Sequence, residues 1–337
     1  MTIPLLQVRD LKTWFPIKRG ILARTTGHVR AVDGVTFALH AGETVGLVGE
    51  SGCGKTTLGR TIMGLEPRRA GEIHLDGTPI WPARHSATLP YRRRMQMIFQ
   101  DPFSSLNPRL TVLEIITEGL IEHGLIRSRE RAGAGARLLQ EVGMDPDVLH
   151  RYPHEFSGGQ RQRLSIARAM ALRPDLVICD EPVSALDVSV RAQVLNLLID
   201  LGAAHTLSYL FISHDLGVIR HLCSRVMVMY LGGVVESGPT TGIIDQPVHP
   251  YTRALISAVP IPFGNGRQRL ILSGEVPSAA NPPSGCRFHP RCPFAIPVCS
   301  RVAPPLELFQ PAAGAAREVA CLRKHELTQG KDLTSVT

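Results

Sequence analysis

Aromatic side chains are scarce in this 337-residue chain, at 5% of the whole, and basic residues are not interleaved with them. The two densest basic clusters, Arg92–Arg94 and Arg127–Arg131, are short. A nucleic-acid partner is therefore not expected. No run of 18 or more apolar residues occurs, so no segment reads as a membrane-spanning helix. Met1-Thr2-Ile3-Pro4 lacks a basic stretch followed by an apolar one, so no secretory leader is expected and the chain should stay in the cytoplasm. Close cysteine pairs with two to four intervening residues, the usual mark of a structural zinc site, are also missing.

What is present is ample for a core: 44% hydrophobic against 20% charged residues, over a length that fits about two domains. The net charge of +8 (37 Lys+Arg against 29 Asp+Glu) is spread along the chain and suits the surface of a membrane complex. No internal repeat is found.

The central stretch is Gly49-Glu50-Ser51-Gly52-Cys53-Gly54-Lys55-Thr56-Thr57. It fits the phosphate-binding pattern G-x-x-x-x-G-K-[ST]. An apolar strand, Thr44–Val48, precedes it, and a helix over Leu58–Leu65 can follow. Strand, glycine-rich turn and helix N-terminus together gather backbone N–H groups around one point, where a phosphate is favoured. Lys55 is expected to reach the β- and γ-phosphates, and the Thr56 hydroxyl to hold Mg²⁺. Gly49, Gly52 and Gly54 are expected to leave room for that approach.

Further along, strands are expected at Leu6–Val8 and Val35–Leu39, with a basic hairpin loop over Lys18–Gly27 between them. Trp14 and Phe15 precede that loop; each is a packing residue or a platform for a nucleobase. A strand over Gly71–Gly77 and another over Arg94–Phe99 lead to Gln100. From Ser104 to about Tyr152 the apolar period becomes 3.6, with Val112, Ile115, Ile116, Gly119 and Leu120 on one face and Leu138, Leu139 and Val142 on another. This reads as an α-helical insertion in an α/β chain. Ser157-Gly158-Gly159-Gln160 opens a helix expected to reach Leu172; the cap and two glycines form a second anion site.

Leu176–Cys179 is a buried type of strand ending in Asp180-Glu181. Parallel sheets place ligands at such strand ends. Asp180 is expected to meet Mg²⁺, and Glu181 to polarise an attacking water. Ser184–Asp187 makes a turn before a helix over Val188–Leu201, and Tyr209–Ser213 is another strand, ending at His214. Val226–Tyr230 and Val234–Glu236 are expected to close the sheet. Beyond Gln246 prolines crowd the chain, and Glu326–Thr337 reads as a polar, disordered tail. Four cysteines, Cys286, Cys292, Cys299 and Cys321, follow the spacing C-x5-C-x6-C-x21-C. In a reducing compartment they read as ligands of a metal or cluster. The wide spacing favours a [4Fe–4S] cluster, zinc is the alternative, and His289 and His325 are reserve ligands.

On these motifs the chain resembles the nucleotide-binding subunits of ABC transporters. Gly49–Thr56 is similar to Walker A, Gln100 to the Q-loop, and Leu176–Asp180 with Glu181 to Walker B. Phe156-Ser157-Gly158-Gly159-Gln160 resembles the signature, with Phe156 where the family usually has Leu. Ser184–Asp187 resembles the D-loop, His214 the switch histidine, and Phe15, ahead of Trp14, the A-loop aromatic. The branch most resembled is the ATPase of dipeptide and oligopeptide importers. Gln100–Arg109, Arg151–His154, His249–Thr252 and the Pro-Cys tail carry that likeness.

The resemblance implies an ABC-type P-loop ATPase domain over residues 1–245, with an antiparallel β layer and a helical subdomain at about 104–172. A small cysteine-rich extension over 246–337 follows, which holds a [4Fe–4S] cluster in some members. It also implies two ATPases paired head to tail, with ATP and Mg²⁺ between Walker A of one and the signature of the other. Glu181, Gln100, His214 and Lys55 would then be catalytic. The loop residues Gly49, Ser51, Gly52, Cys53, Gly54, Thr56 and Thr57, with Ser157 to Gln160, Asp180 and Asp187, would contact nucleotide or metal, and Gln100 would join Thr56 and Asp180 at Mg²⁺. A second, different ATPase, two permeases and an extracytoplasmic solute-binding protein complete such a system, at the cytoplasmic face of the inner membrane. Nickel, glutathione and opine importers use nearly the same ATPase. The competing class is a soluble, non-transport ATPase of the same fold.

Overall fold

The computed structural model describes residues 3–20, 23–80, 89–101, 105–258, 270, 272, 274–311 and 314–328. Pro102 to Ser104, within the Gln100–Arg109 motif and at the expected start of the helical insertion, lie outside the described residues.

Among the described residues the strands are β1 Leu6–Arg19, β2 Arg24–Leu39, β3 Thr44–Val48, β4 Ala70–Leu75, β5 Thr78–Pro79, β6 Met95–Ile98, β7 Leu176–Asp180, β8 Ser208–Ile212, β9 Arg225–Tyr230, β10 Gly233–Pro239, β11 Glu307–Phe309 and β12 Arg317–Val319. They belong to two compact units. The first is Met1–Leu6, Leu39–Glu43 and His74–Ile212; the second is Gln7–Ala38, Thr44–Ile73 and Ser213–Thr337.

In the first unit β6, β7 and β8 run parallel, with Met95 opposite Leu176 and Asp180 opposite Ile212. Every residue of β7 and β8 is buried. That explains their unbroken apolar sequence, since both faces are covered. Three helices form the insertion: Val112–Glu122, Arg131–Glu141 and Gly158–Met170, each packed on the other two. The first buries Val112, Ile115, Ile116 and Leu120, as the 3.6 period requires. Its start is fixed by Thr111, whose Oγ1 accepts from Glu114 N while Glu114 Oε2 accepts from Thr111 N. Such a box satisfies two otherwise orphaned donors. The helix from Gly158 begins two residues earlier than Gln160 and ends at Met170, short of Leu172. Val188–His205 runs past Leu201 and stops at Thr206, which has left-handed φ of 52°.

In the second unit the two expected short strands are long: β1 and β2 leave only four residues between Arg19 and Arg24, not a loop from Lys18 to Gly27. The polar side chains there misled the reading, because an exposed two-stranded ribbon needs no apolar face. Along β1 the buried positions are Leu6 and Val8, then Leu11 and Thr13. The phase shifts at Asp10, which has φ of 43° and donates its N–H to Thr36 Oγ1 at 2.9 Å. One extra residue has been absorbed there, as in a β-bulge. The helix after the phosphate loop spans Lys55–Ile62, starting earlier and ending sooner than Leu58–Leu65, with Gly64 at φ 71° beyond it.

β3 pairs parallel with β9, and β9 antiparallel with β10. β10 does not close the sheet. β12 pairs along it, Glu236 opposite Val319, and β11 adds beyond β12. The proline-rich region thus supplies two strands to an edge that would otherwise be open. The tail is also more ordered than its composition suggests: Lys324–Thr328 is helical and Leu327 is buried. Residues 329–337 of that expected tail lie outside the described residues.

One buried ion pair ties this region down. Arg317 on β12 and Glu236 on β10 are both fully buried at the side chain, 3.7 Å apart. Arg317 Nη1 also donates to Gly242 O at 2.8 Å and Gln246 O at 2.6 Å. Glu236 accepts from Val248 N at 3.0 Å and His249 N at 2.9 Å. Removing one member strands the other charge in the interior. Arg317→Ala should therefore cost about 3–5 kcal/mol of stability. Urea melts followed by tryptophan-independent far-UV signal would measure it, and a loss under 1 kcal/mol (roughly the worth of an exposed pair) would count against this pair as the anchor.

Candidate functional site

The phosphate-loop residues lie in the second unit. β3 delivers the chain to Gly49, and the helix opens at Lys55 with Gly54 as its cap, φ 109°, without a side-chain cap bond. The first intrahelical bond is Leu58 N to Gly54 O, at 2.8 Å. An uncapped helix start of this kind suits an anion. Lys55 is buried, and its Nζ donates to Gly49 O at 2.8 Å and Glu50 O at 3.0 Å. These two carbonyls hold the ammonium across the mouth of the loop. Cys53 is buried beside it, and burial pushes its thiol up even with Lys55 close by.

The glycines act differently from the expectation. A Cβ at Gly49 would stand 2.2 Å from Met229 O, and one at Gly54 2.0 Å from Ala31 O. Both glycines let the loop press against the protein behind it. Gly52, at φ 78°, has open space around its missing Cβ, and its requirement is conformational. Ser51 is exposed, while Thr56 and Thr57 are half-buried in the first helical turn. His214 is exposed, next to Ser213, whose N–H donates to Leu47 O at 3.1 Å. That bond sets His214 at the C-terminal end of β3, where the phosphate loop begins.

Phe15 and Trp14 are both half-buried on β1. Trp14 is already engaged: Nε1 donates to Asp33 Oδ1 at 3.1 Å, and the Arg30 and Arg69 guanidiniums lie over its ring at 4.8 and 4.9 Å. Cation–π contacts of this kind occupy the surface a base would need.

The remaining nucleotide-related residues lie in the first unit. Asp180 ends β7 and is buried. Glu181 follows with φ of 46°, its N–H donating to Ile212 O at 3.0 Å. A non-glycine residue in the left-handed region costs energy and persists where the surroundings fix it. Here the bond to Ile212 and a turn closed by Ser184 N and Oγ on Glu181 O, at 3.2 and 3.0 Å, do so. Gln100, two residues beyond β6, donates from Nε2 to Glu181 Oε2 at 3.1 Å. The adjacent parallel strands β6 and β7 thus bring the two side chains together.

Ser157 caps the helix Gly158–Met170, accepting from Gln160 N at 3.4 Å, while Gln160 Oε1 accepts from Ser157 N at 3.0 Å. The Gln160 side chain is committed to this box. A Cβ at Gly159 would lie 2.3 Å from Val190 Cγ1, and one at Gly158 3.7 Å from Leu186 Cδ2. The glycines let the helix start nest against the turn at Ser184–Asp187, and Asp187 itself precedes the helix Val188–His205. Phe156, buried, lies under the Arg151 guanidinium at 5.1 Å.

Four of the cysteines of the second unit come together. Cys286, Cys292, Cys299 and Cys321 all line one small apolar cavity, with His249, Phe288 and Phe294. None is in a disulfide. Cys286 N donates to Cys299 O at 2.8 Å, and Gly285, at φ 66°, has no room for a Cβ against that same carbonyl, 2.4 Å away. Burial pushes the Cys292 thiol up to about 12 and Cys321 to about 11, and raises Cys286. Four thiols around one space match the donor set of a four-iron cluster. Among the described residues, no group of three or more His, Cys, Asp or Glu side chains is arranged to hold a single metal ion. His289 lines the cavity, but its Nδ1 is engaged with Cys286 O at 2.9 Å. His325 packs edge-on against Phe309 instead.

Two contacts at the phosphate loop cannot be read from the motifs, although Tyr251 itself lies in the His249–Thr252 stretch. Tyr251 Oη accepts from Glu50 N at 2.7 Å, and Arg291 reaches the Glu50 carboxylate with both terminal nitrogens, at 2.9 and 3.3 Å. They are more than 200 positions away in sequence, which no local pattern can reveal.

The family model "ABC transporter" matches residues 32–184, and "Oligopeptide/dipeptide transporter, C-terminal region" matches residues 235–299. The oligopeptide transport ATP-binding protein AppF of Bacillus subtilis is 50% identical over 91% of this chain and 95% of its own length. The probable peptide ABC transporter ATP-binding protein y4tS of Sinorhizobium fredii is 52% identical over 91% and 87%. Among solved structures, cbiO1 of Clostridium perfringens, part of the ABC transporter complex cbiONQ, has the same fold, with TM-score 0.61 at 23% identity over 72% of this chain and 91% of that one. The ATP-binding cassette MJ0796, a dimer bound to ADP and Pi after hydrolysis, superposes with TM-score 0.62 at 26% identity over 70% and 98%. On sequence and fold alike, this chain belongs to the ATP-binding proteins of the ABC transporter family, in the oligopeptide and dipeptide branch.

Proposed function

We propose that this chain binds and hydrolyses ATP to drive import of dipeptides or oligopeptides through a membrane complex. The observation that carries this is half identity over nine-tenths of the chain to a named oligopeptide transport ATP-binding protein, with phosphate loop, Asp180, Glu181, Gln100 and His214 all in place. We assign residues 1–245 to the ATPase domain and 246–337 to the branch-specific extension.

Phosphoryl transfer asks the protein chiefly for positioning and charge neutralisation. The uncapped turn at Lys55–Thr57 and the Lys55 ammonium receive the β- and γ-phosphates. Thr56, Asp180 and Gln100 are the residues that would hold Mg²⁺; the ion would neutralise phosphate charge and polarise the leaving group. Glu181 accepts a proton from the attacking water, and the Gln100 amide, bonded to its carboxylate, orients it. His214 contacts the γ-phosphate. Phe15 offers a face to the base, since Trp14 is taken.

The signature, Ser157 to Gln160 with Asp187 nearby, serves the nucleotide held mainly by a second ATPase, a different chain in a heterodimer. Two permeases and an extracytoplasmic solute-binding protein complete the importer. Among the described residues no helix is long and apolar enough to cross a membrane. In this reading the chain attaches to the permeases at the cytoplasmic face. The helical insertion is the contact surface for them. The four-cysteine cavity takes a [4Fe–4S] cluster, whose chemistry here is structural cross-linking of a proline-rich segment. Loading it means removing protons from thiols, and burial raises those of Cys286, Cys292 and Cys321.

Glu181→Gln should keep ATP binding and lower turnover by about 10²-fold or more, since general-base assistance is worth that much. The assay is ATPase activity of the assembled complex with the partner's site silenced; full activity would refute the assignment of Glu181. Ser157→Arg should impair hydrolysis at the partner's site while leaving nucleotide affinity of this chain's own loop intact. A collapse of affinity in the isolated subunit would show that the composite-site reading is wrong. Anaerobically purified protein should be brown, with broad absorbance near ~400 nm, and Cys292→Ser should bleach it. Colourless anaerobic protein holding one stoichiometric zinc would overturn the cluster.

A further inference from the structure

The short segment between the first two cavity cysteines, Cys286-Arg287-Phe288-His289-Pro290-Arg291-Cys292, carries the contacts that reach the phosphate loop. Arg291 is largely buried, and its guanidinium meets the Glu50 carboxylate as a two-pronged fork, at 2.9 and 3.3 Å. Forks of this kind fix orientation as well as position. Glu50 is doubly restrained, because its N–H donates to Tyr251 Oη at 2.7 Å. Its carbonyl then accepts from Lys55 Nζ, at 3.0 Å. One residue thus stands between the cysteine segment and the phosphate-binding ammonium.

The same segment is gripped in two other places. Phe288 is buried among Tyr230, Tyr251 and His249, with ring centroids 5.2, 5.6 and 5.6 Å away. Arg287 donates to Leu231 O at 2.7 Å and to Asp33 Oδ2 at 2.7 Å. A seven-residue loop pinned at both arginines and at Phe288 cannot shift its terminal cysteines without moving at least one of these bonds.

We propose that Arg291 and Tyr251 are positioning residues for the phosphate loop, and that the Cys286–Cys292 segment thereby couples the state of the four-cysteine cavity to nucleotide affinity. The proposal rests on the reading of Gly49–Thr57 as the phosphate loop and of the cysteine cavity as an occupied site. Its physical basis is placement of Lys55. The ammonium can serve a phosphate only if Gly49 O and Glu50 O hold it at the loop mouth. Those carbonyls stay there only if Glu50 is held from behind. With Arg291 removed, Glu50 keeps the Tyr251 bond and loses its side-chain anchor. By linkage, whatever nucleotide does to the segment, the segment does equally to nucleotide.

The test uses the full-length chain and its assembled transporter. Arg291→Gln should raise the Kd for ADP, measured by calorimetry, by about tenfold, a typical coupling magnitude. In the transporter it should raise the KM for ATP by a similar factor and alter kcat by less than about twofold, the split expected when only binding is lost. Glu50→Gln should do the same, and the double variant should lose no more than either alone. Arg291→Lys, which keeps the charge and loses the fork, should fall between and guards against misfolding of the glutamine variant. The reciprocal readout is chemical: in full-length protein whose cavity has been emptied with a chelator, ADP should slow alkylation of Cys286 and Cys292 by iodoacetamide, read by mass spectrometry, and should not do so in Arg291→Gln. Unchanged ADP affinity in both Arg291 variants, or labelling indifferent to ADP in the parent, overturns the proposal. Lys55→Ala is the separate control: if it still binds ADP, the phosphate-loop reading fails, whatever Arg291 does.

Discussion

A phosphate cradle built from backbone N–H groups has no side chains of its own to hold it, so it must be held from behind. Most of the second unit answers to that constraint. Gly49 and Gly54 give up their Cβ atoms so that the loop can lie against Met229 O and Ala31 O. Gly232 N donates to Cys53 O at 2.9 Å, fastening the loop to the turn after β9. Tyr251 and Arg291 fasten Glu50. The Lys55 ammonium is buried and held by the Gly49 and Glu50 carbonyls. Rigidity set before the ligand arrives is what makes electrostatic stabilisation effective.

The first unit holds two carboxylates, Asp180 and Glu181, at the end of β7. Glu181 sits in a left-handed conformation that its own side chain does not favour. The Ile212 carbonyl and the Ser184 turn fix its backbone, leaving the carboxylate to bond with the Gln100 amide, a neutral partner. An arginine in that place would lower the basicity a proton acceptor needs. The amide donates to the carboxylate without adding a positive charge beside it.

Much of this is legible in the chain. Short-range patterns dominate: the glycine-rich loop after an apolar strand, the Ser157 cap, and the apolar runs of β7 and β8 each depend on residues within a few positions of one another. The readings that failed depend on distant partners. β10 looked like an edge because β12, some 80 positions later, has only three residues and one of them is arginine. Arg317 meets its partner, Glu236, only because β12 pairs along β10. The glycine roles were misassigned for the same reason, since Met229 and Ala31, which fill the space behind the loop, come from β9 and β2. Local chemistry showed where a ligand goes, and tertiary contacts decided which atoms hold the site in shape.

The extension after β10 follows from the same logic. A proline-rich stretch forms few helices or strands and so has little means to bury backbone polar groups. It compensates with arginines as multiple donors. Arg287 reaches Leu231 and Asp33, Arg323 donates to Phe294 O at 3.0 Å, and Arg253 donates to Leu327 O at 2.7 Å. Each guanidinium spans several carbonyls or carboxylates that lie far apart in sequence. Such a lattice needs a fixed centre, because a single rotated arginine releases several bonds at once. The aromatic cluster of Phe288 with Tyr230 and Tyr251 supplies one centre, and the ring of cysteines around its cavity supplies the other. Both flank Arg291. The extension therefore reaches the phosphate loop through its most constrained segment, where a change at the cysteines has the least slack to be absorbed before it meets Glu50.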